Sequence, residues 1–159
     1  MLTQAHKFVS AINLADLLSQ NRDIGFVPQG SDKLIVVTES RKRGIPDNYE
    51  GVHLVVTVYR ASEYDAMRQG GSEAVALKAD ELSTDETMAA QLVATGIATR
   101  LSEFWGNGGN YRVSFNGPGA ARRPYLHLHV LVLRSAENAN LAWKPLVDPS
   151  TNFTVKVGD

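Results

Sequence analysis

The run Arg123-Pro124-Tyr125-Leu126-His127-Leu128-His129-Val130-Leu131-Val132-Leu133-Arg134 constrains this chain more than any other. As a strand, its period of two places Leu126, Leu128, Val130 and Val132 on one face. Tyr125, His127 and His129 stand on the opposite face, followed by Leu131 and Leu133. An imidazole that loses water needs hydrogen-bond partners, so a purely structural core strand seldom carries two side by side. Two of the chain's four histidines share this face. The expected architecture is therefore a sheet with one face committed to a core and the other lined by a site.

At 159 residues, with 43% hydrophobic and 21% charged, the chain has the size and composition of one globular domain. There is no cysteine, which excludes disulfides, thiolate metal sites and a cysteine nucleophile. The net charge of -1 gives no bulk electrostatic reason for a nucleic-acid or acidic-membrane partner. No apolar run approaches a membrane span, and Met1-Leu2-Thr3-Gln4-Ala5-His6-Lys7 lacks the pattern of a secretory signal. A soluble cytoplasmic protein is the expectation.

Residues 4–20 alternate in a helical manner, with Phe8, Ile12, Ala15 and Leu18 on one stripe and Asn13 placed to cap a short second helix. Ile24 to Gln29, Lys33 to Thr38 and Val52 to Tyr59 are short, β-branched and bounded by turn residues, which predicts strands. Between the last two lies Ser40-Arg41-Lys42-Arg43-Gly44-Ile45-Pro46-Asp47-Asn48. It reads as a solvated turn or a charged guard for an edge strand, with a phosphate-contacting loop as the alternative. Glu63 to Gln69 can form a helical turn, Gly70-Gly71 breaks it, and Ser72 to Leu77 reads as strand or loop.

Ser83-Thr84-Asp85-Glu86 is a capping box and opens the clearest helix, with Ala89, Val93, Ile97, Leu101 and Phe104 as its buried stripe. Gly106-Asn107-Gly108-Gly109-Asn110 ends it. A strand from Tyr111 to Phe115, the loop Asn116 to Arg123 and the histidine strand follow, with a final strand expected at Asn152 to Val157. The fold class predicted is α+β, a mixed antiparallel sheet with helices.

A glycine-bearing loop running into alternating histidines suits an anion. The backbone N–H groups of Gly117, Gly119 and Ala120 permit close approach, and Arg122 or Arg123 can add bidentate contacts to phosphate oxygens. A neutral imidazole can attack phosphorus or exchange protons at pH 7, and a second can bind or protonate the leaving group. Two satisfied sheet histidines facing a wet groove are the plainer alternative. Chelation of a metal by His127, His129 and His53 ranks behind phosphate chemistry, because the strand has no nearby carboxylate. A cupin barrel is disfavoured because Leu133 and Arg134 fall where its acidic ligand should follow. His6 has no partner pattern, and Trp105 and Trp143 read as packing residues.

Asn116-Gly117-Pro118, the small-residue loop, and Tyr125-Leu126-His127-Leu128-His129-Val130-Leu131 with Arg134 together resemble the signature of the histidine triad (HIT) superfamily. Upstream, Glu50-Gly51-Val52-His53-Leu54-Val55-Val56 is similar to the family's glycine/histidine strand. Aligned on Val130-Leu131 and Arg134, Tyr125 takes the place of the first histidine, His127 of the central one and His129 of the third. The loop is then one residue short. A shifted register makes His127 first and His129 central, which restores the loop length but loses the valine-leucine and arginine matches.

The resemblance implies a HIT-like fold over most of residues 22–135, with an N-terminal helix and a C-terminal extension. By the same resemblance, His127 is the nucleophile that becomes nucleotidylated, and His129 sits by the leaving group or phosphate. His53 would be an accessory imidazole leaning into the site, Asn116 an orienting group, and Arg122 or Arg123 would stand in for a missing polar contact to phosphate. The implied activity is a nucleotide-binding hydrolase or nucleotidyl transferase acting at the α-phosphorus, with a nucleotide or nucleotide conjugate as partner and a homodimer by analogy. No metal or cofactor is implied. The alternative is a non-catalytic nucleotide-binding or interaction module whose triad has decayed at Tyr125, since a phenol stays neutral at pH 7 and cannot supply an imidazolium.

Overall fold

The computed structural model describes residues 1–19, 23–45, 49–115 and 123–136. Helix α1 (Leu2–Ala11) and α2 (Leu14–Ser19) are divided at Asn13, whose Oδ1 accepts from the backbone N–H of Ala15 at 3.0 Å and of Asp16 at 3.3 Å. Strands β1 (Ile24–Phe26), β2 (Lys33–Glu39) and β3 (Gly51–Arg60) follow, then α3 (Ala61–Arg68), a short 3-10 turn, α4 (Thr84–Trp105), β4 (Tyr111–Ser114) and β5 (His127–Leu133). The five strands form one antiparallel sheet in the order β1-β2-β3-β5-β4, as the α+β expectation requires.

The ladder sorts the side chains into two faces. Val52, Leu54 and Val56 of β3 lie opposite Val132, Val130 and Leu128 of β5, and all six are in the main core. That face is covered by Ala89, Val93, Ile97 and Leu101 of α4, and by Ala5 and Val9 of α1. Burying one leucine or valine side chain is worth about 1.5–3 kcal/mol, so this face alone sets which way β5 must turn. On the other face Leu131 and Leu133 join Ile45 and Tyr49 in a small separate cluster, while Tyr64 of α3 packs 5.0 Å from Tyr59.

The expected capping box of α4 is present: the Ser83 hydroxyl accepts from Glu86 N–H at 3.1 Å, and the Glu86 carboxylate accepts from Ser83 N–H at 2.8 Å. Gly106 closes the helix in the left-handed conformation at φ 60°, where a side chain would be strained. Phe104 leaves the expected stripe and is 58% exposed, whereas Trp105 packs against the core. Each i to i+4 step advances about 40° beyond a full turn, so the buried stripe rotates along the helix and brings Trp105 over the sheet. Ala15 is likewise exposed, and Leu14 and Leu17 carry the burial of α2.

Three strands are shorter than expected, β4 by the single residue Phe115. β1 stops at Phe26 because Pro28 has no N–H to give a ladder, and its carbonyl accepts from Ser31 in a turn. β5 begins at His127 rather than Arg123 because Leu77 wedges between the strands: its N–H bonds to Val58 O at 2.8 Å, and its carbonyl accepts from Leu126 N–H at 3.0 Å. Residues 72–77 therefore form loop, not strand. The strand expected at 152–157, and Trp143, lie outside the described residues.

The turn after α4 fixes β5 through buried Asn107. Its Nδ2 donates to Leu133 O at 2.6 Å, and its Oδ1 accepts from the N–H groups of Gly109 and Asn110 at 3.0 Å each. Asn107→Ala removes these bonds from a buried turn, in which Gly109 N–H keeps Ser102 Oγ at 2.9 Å, and is expected to lower the unfolding free energy by about 2–3 kcal/mol. Urea unfolding measures this; a loss below about 0.5 kcal/mol, the range of ordinary surface substitutions, contradicts it.

Candidate functional site

On the outer face of the sheet, β3 and β5 pair His53 with Leu131, Val55 with His129, and Thr57 with His127. Antiparallel pairing makes His53 and His129 diagonal neighbours, and their rings meet: His53 Nε2 lies 2.9 Å from His129 Nδ1. The His127 ring stands edge-on to that of His129, with centroids 4.9 Å apart. Tyr125, just before β5, has its ring 5.2 Å from His127. The three imidazoles and the phenol expected to share a site are thus brought together.

The hydrogen bonds assign protons to ring nitrogens. A carbonyl oxygen only accepts, so the 2.8 Å contact of His53 Nδ1 with Lys42 O places a proton on Nδ1. In the neutral ring Nε2 then carries the lone pair and accepts from His129 Nδ1–H, which leaves His129 Nε2 as an acceptor. His127 obeys the same rule independently. Its Nδ1 lies 3.0 Å from Tyr125 O and must donate, so the neutral tautomer of this ring has its lone pair on Nε2.

Electrostatics keep two rings neutral. His129 is pushed down to about 4, first by burial and then by the nearby His53, His127 and Lys42. His53 is also lowered by burial, partly offset by its bonds to the backbone of Lys42 and Arg43.

A cleft of about 570 Å³ opens over this face, walled by Ser40, Arg41, Lys42, Val55, Arg123, Tyr125, His127 and His129. His53 is not part of the wall; it sits 8% exposed behind His129 and reaches the site through that ring. The basic Arg41-Lys42 segment, read from sequence as a solvated turn, is indeed exposed, yet it borders the cleft. Among the described residues Arg41, Lys42 and Arg123 have no ion-pair partner. The cleft wall itself carries these three cations and no carboxylate, which favours an anion, while Asp23 and Glu39 line an adjoining pocket with Arg41.

Of the expected anion cradle, Arg123 lies in the cleft wall, while Asn116, Gly117, Gly119, Ala120 and Arg122 fall outside the described residues. Arg134 stacks over Trp105 at 5.3 Å, away from the cleft. Ser40, Arg41 and Lys42 belong to the segment whose preferred reading is a solvated turn and whose alternative is a phosphate-contacting loop; Val55 carries no signal in the sequence that marks it for the wall. A larger groove of about 620 Å³ between α1 and α4 is mostly apolar and contains the exposed His6, but it lacks converging like charges. No three or more carboxylates and imidazoles among the described residues are arranged to hold a metal ion, and no described helix is long and apolar enough to cross a membrane.

The depressed histidines make stability depend on pH. His53 and His129 charge near 6.5 when unfolded but resist protonation when folded, with His129 held at about 4. The folded chain therefore binds fewer protons below about 6.5, so this stabilisation is complete above that value and declines as the pH falls toward about 4. Thermal melts between about pH 7 and pH 5 should show the decline, and His129→Gln should flatten it. An identical decline in the variant contradicts the assignment.

No family model, no curated protein and no solved structure matches this chain.

Proposed function

We propose that this cleft carries out nucleotidyl transfer or hydrolysis at the α-phosphorus of a nucleotide conjugate, with His127 as the covalent nucleophile. The observation that carries the reading is the His127 Nδ1–H bond to Tyr125 O, which leaves the Nε2 lone pair available in a cleft edged by three cations. The resemblance to the HIT superfamily supports it, as does the order of histidine-bearing β3, long α4, short β4 and β5.

In the first step His127 Nε2 attacks the α-phosphorus, a P–N bond forms, and the bond to the leaving group breaks with its electron pair departing on that group. The ring becomes cationic, and its Nδ1–H bond to the Tyr125 carbonyl strengthens as a charge-assisted bond. In the second step water attacks the same phosphorus and the P–N bond breaks. His129 Nε2, neutral and aligned by His53, accepts the water proton. Arg41, Lys42 and Arg123 balance the phosphate charge throughout.

Tyr125 bears on the leaving group. A phosphate or polyphosphate departs as an anion and needs no proton, whereas an amine does, and a neutral phenol is a poor donor for it. Phosphoanhydrides therefore suit this cleft better than phosphoramidates. The same reading takes the protein as a cytoplasmic homodimer.

A non-catalytic nucleotide binder is the second reading, favoured by the single fact that Tyr125 stands where the family has a histidine. His127→Ala should reduce hydrolysis of a dinucleoside polyphosphate by about 10³-fold or more, while AMP still raises the variant's melting temperature. Retained hydrolysis by the variant rules out the His127 adduct. Tyr125→His should raise turnover of an adenosine phosphoramidate relative to the polyphosphate; activity confined to Tyr125→His and absent from the wild type favours the binder.

A further inference from the structure

The turn Arg41–Gly44 follows the Ser40 N–H bond to His53 O at 2.8 Å and rests against the buried ring of the same histidine. His53 Nδ1 donates to Lys42 O at 2.8 Å, and Gly44 folds back against the same edge of the imidazole. A Cβ placed on Gly44 would lie 2.5 Å from His53 Nδ1, 2.9 Å from Cε1 and 3.0 Å from Leu131 Cδ2. Gly44 also has φ +65°, a conformation that side chains rarely adopt. The opposite edge of the ring, Nε2, meets His129. One buried imidazole thus touches the backbone of the basic turn on one side and a cleft histidine on the other, without lining the cleft itself.

We propose that Gly44, Lys42 O and His53 form a latch that sets the hydrogen-bond direction of His129 and at the same time holds Arg41 and Lys42 at the cleft. Gly44 and His53 are positioning residues: neither has to touch substrate. While the latch is closed, His53 Nδ1 carries the proton, His129 donates from Nδ1, and His129 Nε2 remains an acceptor. If the turn moves away, His53 loses the carbonyl that fixes its tautomer. It can then donate from Nε2, which turns the His129 ring into the opposite tautomer and closes its proton-accepting position. The same displacement moves the cations away from the anion they would bind. The roles of water activation and phosphate binding rest on the proposed function, but the latch itself is a statement about ring protons and can be tested without substrate.

The test uses the full chain and its Gly44→Ala and His53→Leu variants. Long-range ¹H–¹⁵N spectra of the histidine rings near pH 7 report each tautomer, and calorimetry reports AMP affinity. Wild type should show His53 and His129 both protonated on Nδ1. In Gly44→Ala, His129 should shift toward the Nε2–H form and AMP should bind about tenfold more weakly, the size of one lost charged contact. If Gly44→Ala does not fold, His53→Leu should give the same loss of a fixed His129 tautomer and the same weakening. A folded variant in which His129 keeps its Nδ1–H form, or in which AMP affinity is unchanged, overturns the latch. If the wild type binds no AMP, the proposed function fails and the ring spectra alone decide the latch.

Discussion

The register between β3 and β5 determines everything on the outer face. Pairing Leu54 with Val130 and Val56 with Leu128 buries four aliphatic side chains against α4, and the same register leaves His53, His127 and His129 together on the other side. A slip of one residue exchanges the faces, driving imidazoles into an apolar core and leucines into water. The cost of that exchange is far larger than any one hydrogen bond in the site. The hydrophobic core therefore holds the histidine cluster in place, although no core atom takes part in its chemistry.

With the rings fixed, backbone carbonyls determine what they can do. Lys42 O and Tyr125 O each fix a proton on an Nδ1, and these two bonds propagate to two Nε2 atoms that can only accept. Burial adds to this by keeping His53 and His129 uncharged near neutrality. The rings of His127 and His129 face a cleft bordered by Arg41, Lys42 and Arg123, and under the proposed function the imidazoles and the cations divide nucleophilic attack and anion binding between different side chains. Tyr125 keeps its backbone role toward His127 although its side chain is a phenol, because the carbonyl does not depend on the residue type.

Where the sequence was readable, the reason was periodicity or local chemistry. Leu126, Leu128, Val130 and Val132 alternate cleanly and are buried as expected, and Ser83 with Glu86 forms a cap that needs only four consecutive residues. The start of β5 was not readable, because it depends on Leu77, which is distant in sequence, occupying the carbonyl that Leu126 would otherwise use. The placement of Arg41 and Lys42 was only partly readable. The turn carries ordinary solvated charge, and the bond from His53, eleven residues from Lys42, helps to bring it to the cleft. Phe104 was misplaced because a fixed stripe ignores the rotation of the buried face along a 22-residue helix.

The most direct measurement of the central claim is the capture of the covalent intermediate. The chain is mixed with a dinucleoside polyphosphate and quenched in alkaline denaturant, which preserves a phosphorus–nitrogen bond, and the intact mass and fragments are then read. The account predicts one nucleotidyl group, on His127. Turnover without any adduct, or an adduct confined to another residue, contradicts it.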